Sequence, residues 1–371
     1  MKILQICGSY SWGGLEMQTF SISEALSESG NEVVIICPQN SQFEKEKFKY
    51  GTCIYTINYK NNFFTVIQLF INALQIINPD IIHCQLSKDL HFVVPALKYL
   101  KYKTPLVFTK RMSSNINKKD FIHQHFYNRI DKIYAISEFV KSNMFTTTSV
   151  KPERIEVLYN GVNLERFNLK LYNKNEEKAK YSIDSNTIVI GITGRISPLK
   201  GHIEFIDAMA ILKKLVSKNI KFIIVGGASF GEEDYYNQIK KYGIEKLGIN
   251  NIIFTGYTND IPKFLSIMDY FVFPSYEESL GNVVLEAMAM GIPVVASNSG
   301  AVPEIIKHNY TGILVNSKDD QAIALGVLDY LLNKGKVDII RQNAISYIKE
   351  NHNFDLYIDK LQNSYKLLIN R

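Results

Sequence analysis

Two cations and two carboxylates, each pair set in glycine-bearing sequence, are the residues whose types and spacing could do chemistry here. The run Gly191-Ile192-Thr193-Gly194-Arg195-Ile196-Ser197-Pro198-Leu199-Lys200-Gly201 closes a β-branched stretch and carries Arg195 and Lys200 across a proline turn. From a strand end these side chains can converge on one anionic group. A diphosphate is the natural guest, because guanidinium offers a fork of donors and ammonium a compact charge. The second run begins at Phe273-Pro274-Ser275-Tyr276-Glu277-Glu278-Ser279-Leu280-Gly281 and continues through Asn282-Val283-Val284-Leu285-Glu286 to Gly291-Ile292-Pro293. It reads as a loop followed by a helix whose first backbone N–H groups are free to meet an anion. Glu278 on the loop and Glu286 two turns into the helix can accept hydrogen bonds from sugar hydroxyls. A third glycine turn, Gly8 to Glu16 with Gly13-Gly14, joins the first strand to a helix and is weak on its own.

Two carboxylates also admit a glycosidase, with one acid and one base flanking a glycosidic bond. That reading leaves the glycine loops and the basic pair unexplained. A non-catalytic binding module is a further alternative. Neither GxGxxG nor GxxxxGK[ST] can be drawn through these loops, so dinucleotide and Walker A readings are disfavoured. No Asp-x-Asp motif occurs, and neither a metal nor another cofactor is expected. Of the histidines, His123 and His125 stand two apart on a helix and project to different sides, which disfavours a metal site. His202 beside Lys200 has phosphate contact and surface placement as equal readings. His83 ends the run Asp80-Ile81-Ile82-His83 and is weighed between a ligand role and a packed core position.

These residues need strands to hold them. Short, nearly all-apolar runs recur at Lys2–Cys7, Val33–Cys37, Ile54–Ile57, Ile81–His83, Leu106–Phe108, Ile133–Ile136 and Ile155–Leu158, separated by amphipathic stretches. Such runs suit parallel strands covered on both faces. A polar stretch from Leu164 to Tyr181 reads as a domain linker. The alternation resumes at Thr187–Ile192, Phe222–Val225, Ile252–Phe254, Tyr270–Phe273, Val294–Ala296 and Ile313–Val315, and a helix with one apolar face follows from Phe354. The expected fold is α/β, with two Rossmann-like doubly wound parallel-sheet domains and ligands at the strand ends facing a cleft. The domains are drawn at 1–165, 166–353 and a closing helix at 354–371.

A chain of 371 residues exceeds one compact core, and 46% hydrophobic with 21% charged residues excludes a disordered or fibrous protein. Residues 1–163 hold 18 Lys+Arg against 13 Asp+Glu, and residues 164–371 hold 24 against 23, so the first half carries the basic excess. Lys98, Lys101, Lys103, Lys110, Arg111, Lys118 and Lys119, interleaved with Tyr99, Tyr102 and Phe108, suit a phosphate-bearing ligand or an anionic membrane surface. Nucleic-acid signatures are absent, and nucleic acid is not an expected partner. The apolar stripe Phe63, Phe64, Ile67, Phe70, Ile71, Leu74 and Ile77 is expected to face the core, with membrane contact as the alternative. No spanning helix is expected, because the longest apolar run is interrupted by Gln68, Asn72 and Gln75. The start reads as a first strand and not a signal peptide, and Cys7, Cys37, Cys53 and Cys84 read as buried thiols; both point to the cytoplasm.

The motifs together resemble the retaining glycosyltransferases of family 4, which have the GT-B fold. The resemblance runs through Gly13-Gly14-x-Glu16, Asn160-Gly161-Val162-Asn163, Gly194-Arg195 with Lys200-Gly201, Glu278 through Glu286, and Gly300-Ala301-Val302-Pro303-Glu304. It implies transfer of a sugar from a nucleotide-sugar, with UDP as default, to a cell-surface glycan or lipid-linked acceptor such as lipopolysaccharide core or capsule. By similarity Arg195 and Lys200 hold the donor diphosphate and Glu286 meets the ribose. Glu278, Gly281, Asn282 and Val283 address the transferred sugar, Gly194 belongs to the donor loop, and Gly14 closes over the phosphates. His83 resembles an acceptor-side position, and the resemblance implies that the closing helix after Phe354 crosses back to the first domain. Where many members carry a histidine after the fifth strand, Thr109-Lys110-Arg111 stands here, and Lys110 and Arg111 are expected to meet an anionic group of the acceptor. Ser279-Leu280-Gly281 and Gly300-Ala301 replace the commoner Gly-Phe-Gly and Gly-Gly and add bulk near the sugar. An acceptor on lipid would place the protein at the inner face of the cytoplasmic membrane.

Overall fold

The computed structural model describes residues 1–228 and 231–371. The chain divides into two compact units, Met1–Tyr159 with Asp355–Arg371, and Asn160–Phe354.

The first unit is built on seven parallel strands: β1 (Lys2–Ile6), β2 (Glu32–Pro38), β3 (Cys53–Ile57), β4 (Ile81–Cys84), β5 (Leu106–Lys110), β6 (Lys132–Ala135) and β7 (Ile155–Val157). Their order across the sheet is β3-β2-β1-β4-β5-β6-β7. The strands at the sheet centre have no solvent-facing side: β4 and β5 are buried at every position. That explains why they read as continuous apolar runs, not alternating ones. The apolar stripe after Asn62 forms the helix Phe63–Ile77, and its Phe70, Ile71, Leu74 and Ile77 are buried as expected of a core face. The exceptions sit in its first turn, where Phe63 and Phe64 are exposed. Cys7, Cys37 and Cys84 are buried free thiols, whereas Cys53, at the start of the edge strand β3, is exposed.

The closing helix Phe354–Ile369 belongs from Asp355 onward to this first unit. Its Tyr357, Leu361 and Tyr365 are buried, and Gln362 and Ser364 bond to Asn31 and Tyr134. The helix is therefore a packed part of the unit's core, fixed by both apolar area and specific hydrogen bonds.

The second unit repeats the plan with β8 (Ile188–Thr193), β9 (Ile220–Val225), β10 (Ile252–Phe254), β11 (Tyr270–Phe273), β12 (Val294–Ser297) and β13 (Ile313–Val315), ordered β10-β9-β8-β11-β12-β13. In each sheet the order reverses beside the first strand, between β1 and β4 and between β8 and β11. Such switch points are where open α/β sheets leave room for ligands outside the carboxyl ends of the strands. The polar stretch Leu164–Tyr181 is not a free linker. It folds into the helix Lys174–Ala179, whose Lys174 and Lys178 pair with Asp269 at 2.7 and 3.6 Å, just ahead of β11. Polarity there serves ion pairing within the unit, which a composition reading cannot tell from solvation. The chain enters and leaves the unit side by side, with Val162 N donating to His352 O at 2.7 Å and Phe354 N to Val162 O at 3.1 Å.

Candidate functional site

The loops leaving β8 and β11 carry the two signature segments, and a short set of contacts fixes them to each other. After β8, Gly194 takes φ of +151° and Gly201 takes +71°, with the single turn Pro198–Lys200 between them. A Cβ on Gly201 would lie 2.2 Å from the Pro274 carbonyl oxygen, so only glycine permits this turn to press on the β11 loop. Tyr276 N and Ser275 Oγ both donate to the Leu199 carbonyl, at 2.9 and 3.1 Å. The third side is Gly300 (φ +56°), where a Cβ would meet the Glu278 backbone at 2.2 Å. Ala301 N donates to Glu278 O at 2.9 Å and Ser299 Oγ to Ser275 O at 2.9 Å. The loops of three adjacent strands, β8, β11 and β12, thus lock together, and the β12 loop holds Glu278 by its backbone.

Its side chain is also held. Lys200 Nζ donates to Glu278 Oε1, which also lies 3.3 Å from Ser275 Oγ. The sequence reading gave Lys200 a diphosphate and Glu278 a sugar; the structure brings the two into one ion pair. Both are mostly shielded, with side-chain exposures of 25% and 14%, so the pair is stronger than a surface one. Arg195 lies exposed on the same loop.

The helix Asn282–Ala289 starts from Gly281 at φ +91°, and no side chain caps it. Its first amides therefore remain available to an anion. Asn282 Oδ1 accepts from Asn160 Nδ2 at 2.9 Å, anchoring the helix start to the segment by which the chain enters this unit. Val283 lies in the same first turn, half-buried. Glu286, four residues on from Asn282, is half-buried, and burial raises its carboxyl from the ordinary 4.5 to about 7, with Arg166 opposing the shift. Asn160 and Arg166 are site residues the sequence reading did not assign. Arg166 is fixed by donating to Asn259 O at 2.8 Å and by lying over the Phe167 ring at 5.4 Å.

His202 corrects an expectation. It opens the helix His202–Leu215 but is completely buried, and neither ring nitrogen has a partner among the described residues. Burial, followed by the neighbouring Lys200 charge, lowers its pKa to about 3, so it is neutral. It offers phosphate no charge.

The remaining candidates lie in the first unit. Gly13 precedes the helix Gly14–Glu28, and Glu16 closes the helix start through Gly13 N to Glu16 Oε2 at 2.9 Å. A Cβ on Gly14 would meet nothing within 4 Å, so the backbone there is open to approach. His83 takes the packed core position. It is fully buried, with Nδ1 2.6 Å from Tyr365 Oη and Nε2 2.7 Å from Thr109 Oγ1, and burial lowers its pKa to about 3. Both ring nitrogens are consumed in tying β4 to β5 and to the closing helix, so the expected acceptor contact is replaced by a structural one. Arg111 is likewise 7% exposed and directs Nε and Nη2 to Gln85 Oε1 at 3.1 and 2.8 Å, with Tyr357 as a further hydrogen-bond partner. Its guanidinium joins the same buried network. Lys110 is also buried, and burial reinforced by the nearby Lys118 charge lowers its pKa to about 8.

Comparison with known proteins agrees with the fold. The model for glycosyl transferases group 1 matches residues 173–349, and the model for glycosyltransferase family 4 matches residues 12–166. An uncharacterized glycosyltransferase of Methanocaldococcus jannaschii is 28% identical, with 99% of this chain and 98% of its own length aligned. An Escherichia coli UDP-Gal:alpha-D-GlcNAc-diphosphoundecaprenol alpha-1,3-galactosyltransferase is 28% identical over 58% of this chain and 55% of its own. Among solved structures, Anabaena HepE in complex with UDP-glucose superposes with a TM-score of 0.84 at 22% identity, covering 99% of both chains.

Proposed function

We propose, for a chain that belongs to the family 4 glycosyltransferases and has their GT-B fold, that it moves a sugar from a UDP-sugar to a cell-surface glycan or lipid-linked acceptor, retaining anomeric configuration and using no metal. The observation that carries this reading is the clamp on Glu278 at the β8/β11 switch point, with Lys200 on one side and the uncapped start of Asn282–Ala289 on the other. The complexed state of the Anabaena structure supports a UDP-sugar, and the Escherichia coli relative supports a lipid-linked acceptor.

The reaction requires stabilising a nucleoside diphosphate as it leaves and an anomeric centre as it gains positive charge. Arg195, Lys200 and the helix N–H groups supply fixed positive charge to the leaving oxygens, a role for which one donor contributes about 3 kcal/mol in other enzymes. Glu278, fixed by its backbone, accepts from sugar hydroxyls, and Glu286 accepts from the ribose. The bond from the anomeric carbon to the diphosphate oxygen breaks, the acceptor oxygen bonds to the same face, and its proton passes to the departing phosphate. Two cations in place of a divalent ion make metal dispensable in charge terms. Attachment to the inner face of the cytoplasmic membrane is supported by the exposed Phe63 and Phe64 beside the basic first unit; no helix of the described residues is long and apolar enough to cross a membrane.

A panel of UDP-, GDP- and ADP-sugars, assayed with excess EDTA and with product anomers read by NMR, tests the reading. Turnover with a UDP-sugar, an unchanged anomeric configuration and insensitivity to EDTA are expected. Sugar release without any nucleotide would favour the hydrolase alternative, and binding without turnover the non-catalytic one.

A further inference from the structure

The first unit holds two shielded lysines, Lys110 at the end of β5 and Lys118 in contact with Ser87 after β4. Lys110 ends β5 and is 8% exposed, and the charge of Lys118 presses on it. Lys118 is half-buried, and among the described residues its one side-chain hydrogen bond is from Nζ to Ser87 Oγ at 3.4 Å. Among the described residues neither lysine has a salt-bridge partner, although exposed lysines elsewhere, such as Lys180 and Lys246, do. His91 is also within reach of the Lys118 charge, and its ring stands 5.9 Å from His123.

Burying like charges together costs free energy unless an opposite charge joins them. The pair is also placed where a ligand would be. Ser87 follows β4 and Lys110 ends β5, adjacent strands whose carboxyl ends open on one side of the sheet. Two compact ammonium donors and a hydroxyl, with no planar fork among them, suit the several oxygens of a phosphate. Met112, Ile116, Phe121 and Ile122, on the segment around Lys118, are all more than 60% exposed. Such apolar surface beside a cation pair suits a phosphate borne by an amphiphile.

We propose that Lys110 and Lys118, with the Ser87 hydroxyl, form a phosphoryl-binding site in the first unit. The inference deepens the proposed function, on which it rests for the identity of the ligand as a phosphorylated acceptor; the binding itself does not depend on that reading. The shared chemistry is a phosphoryl group, either free in solution or on a lipid.

The test is titration of the full-length protein with inorganic pyrophosphate by calorimetry, in saturating UDP to occupy the second unit. A parallel arm measures binding to phosphatidylcholine vesicles with and without phosphatidic acid. Wild type should bind in at least one arm, and Lys110→Gln with Lys118→Gln should weaken that binding by about tenfold or more. Lys110→Arg should restore most of it, and thermal melts should show all variants folded. Pyrophosphate binding identifies a free phosphate as sufficient, whereas selective vesicle binding alone identifies a lipid phosphate; both uphold the site. Equal binding by wild type and the glutamine variant, or no binding in either arm, overturns it. UDP affinity is measured separately in each protein, so a failure of the donor reading is distinguishable from a failure of this site.

Discussion

Lys200, the residue to which we assign the donor diphosphate, is paired with Glu278. An incoming diphosphate must therefore compete with a carboxylate. Glu278→Gln removes that competitor, so nucleoside diphosphate affinity measured by calorimetry should stay level or rise while turnover falls. Weaker diphosphate binding in that variant would contradict the assignment of Lys200. Lys200→Ala should lower kcat/KM by about a hundredfold, the cost of one preorganised donor. Glu286 sets a pH dependence. Its carboxyl ionises near 4.5 when unfolded and near 7 when folded, so between these values the folded protein holds the extra proton and loses stability as pH rises. Glu286→Gln removes that loss, and its melting temperature relative to wild type should increase between about pH 4.5 and about pH 8. The residue types at these positions were legible in the sequence. Their partners were not, because Lys200 and Glu278 are 78 residues apart and Asn160 and Asn282 are 122 apart, separations on which local patterning carries no information. His83 shows the same limit: a polar residue at a strand end reads as a ligand until Tyr365 and Thr109 are seen to satisfy it.

At the scale of elements, inner strands such as β4 and β5 were readable because burial on both faces leaves a plain apolar signature. What period and composition do not encode is how strand-end loops touch. Gly201 and Gly300 are the points where they do. Gly300→Ala would force a side chain into positive φ and against the Glu278 backbone, and should cost about 1–3 kcal/mol of stability together with donor affinity. Gly335→Ala provides the contrast, since a Cβ there meets nothing within 4 Å and the residue lies in the helix Lys334–Asn351. It should be neutral or stabilising. Thermal melts of the two variants compare directly, and equal shifts would show that the close approach at Gly300 does not constrain the loop. The stretch Leu164–Tyr181 marks the opposite failure, where charge read as solvation but Asp269 had recruited it into the fold.

At the scale of the molecule, two units of the same topology share a chain that returns to the first for its last seventeen residues, Asp355–Arg371. Tyr357 and Tyr365 supply hydrogen bonds to Arg111 and His83. Ending the chain at Phe354 should strip those partners and lower the unfolding temperature of the first unit, with the transition of the second preserved in calorimetry. One transition shifting as a whole would argue against separate units. The composition of the closing helix announced its apolar face, and its destination followed from the family resemblance, not from the pattern itself. The most direct test of the account is a crystal structure with a nucleoside diphosphate bound. The pyrophosphate is predicted to lie against Arg195, Lys200 and the amides at the start of Asn282–Ala289, with Glu286 on the ribose; a nucleotide bound away from these residues, with Lys200 still paired to Glu278, would contradict it.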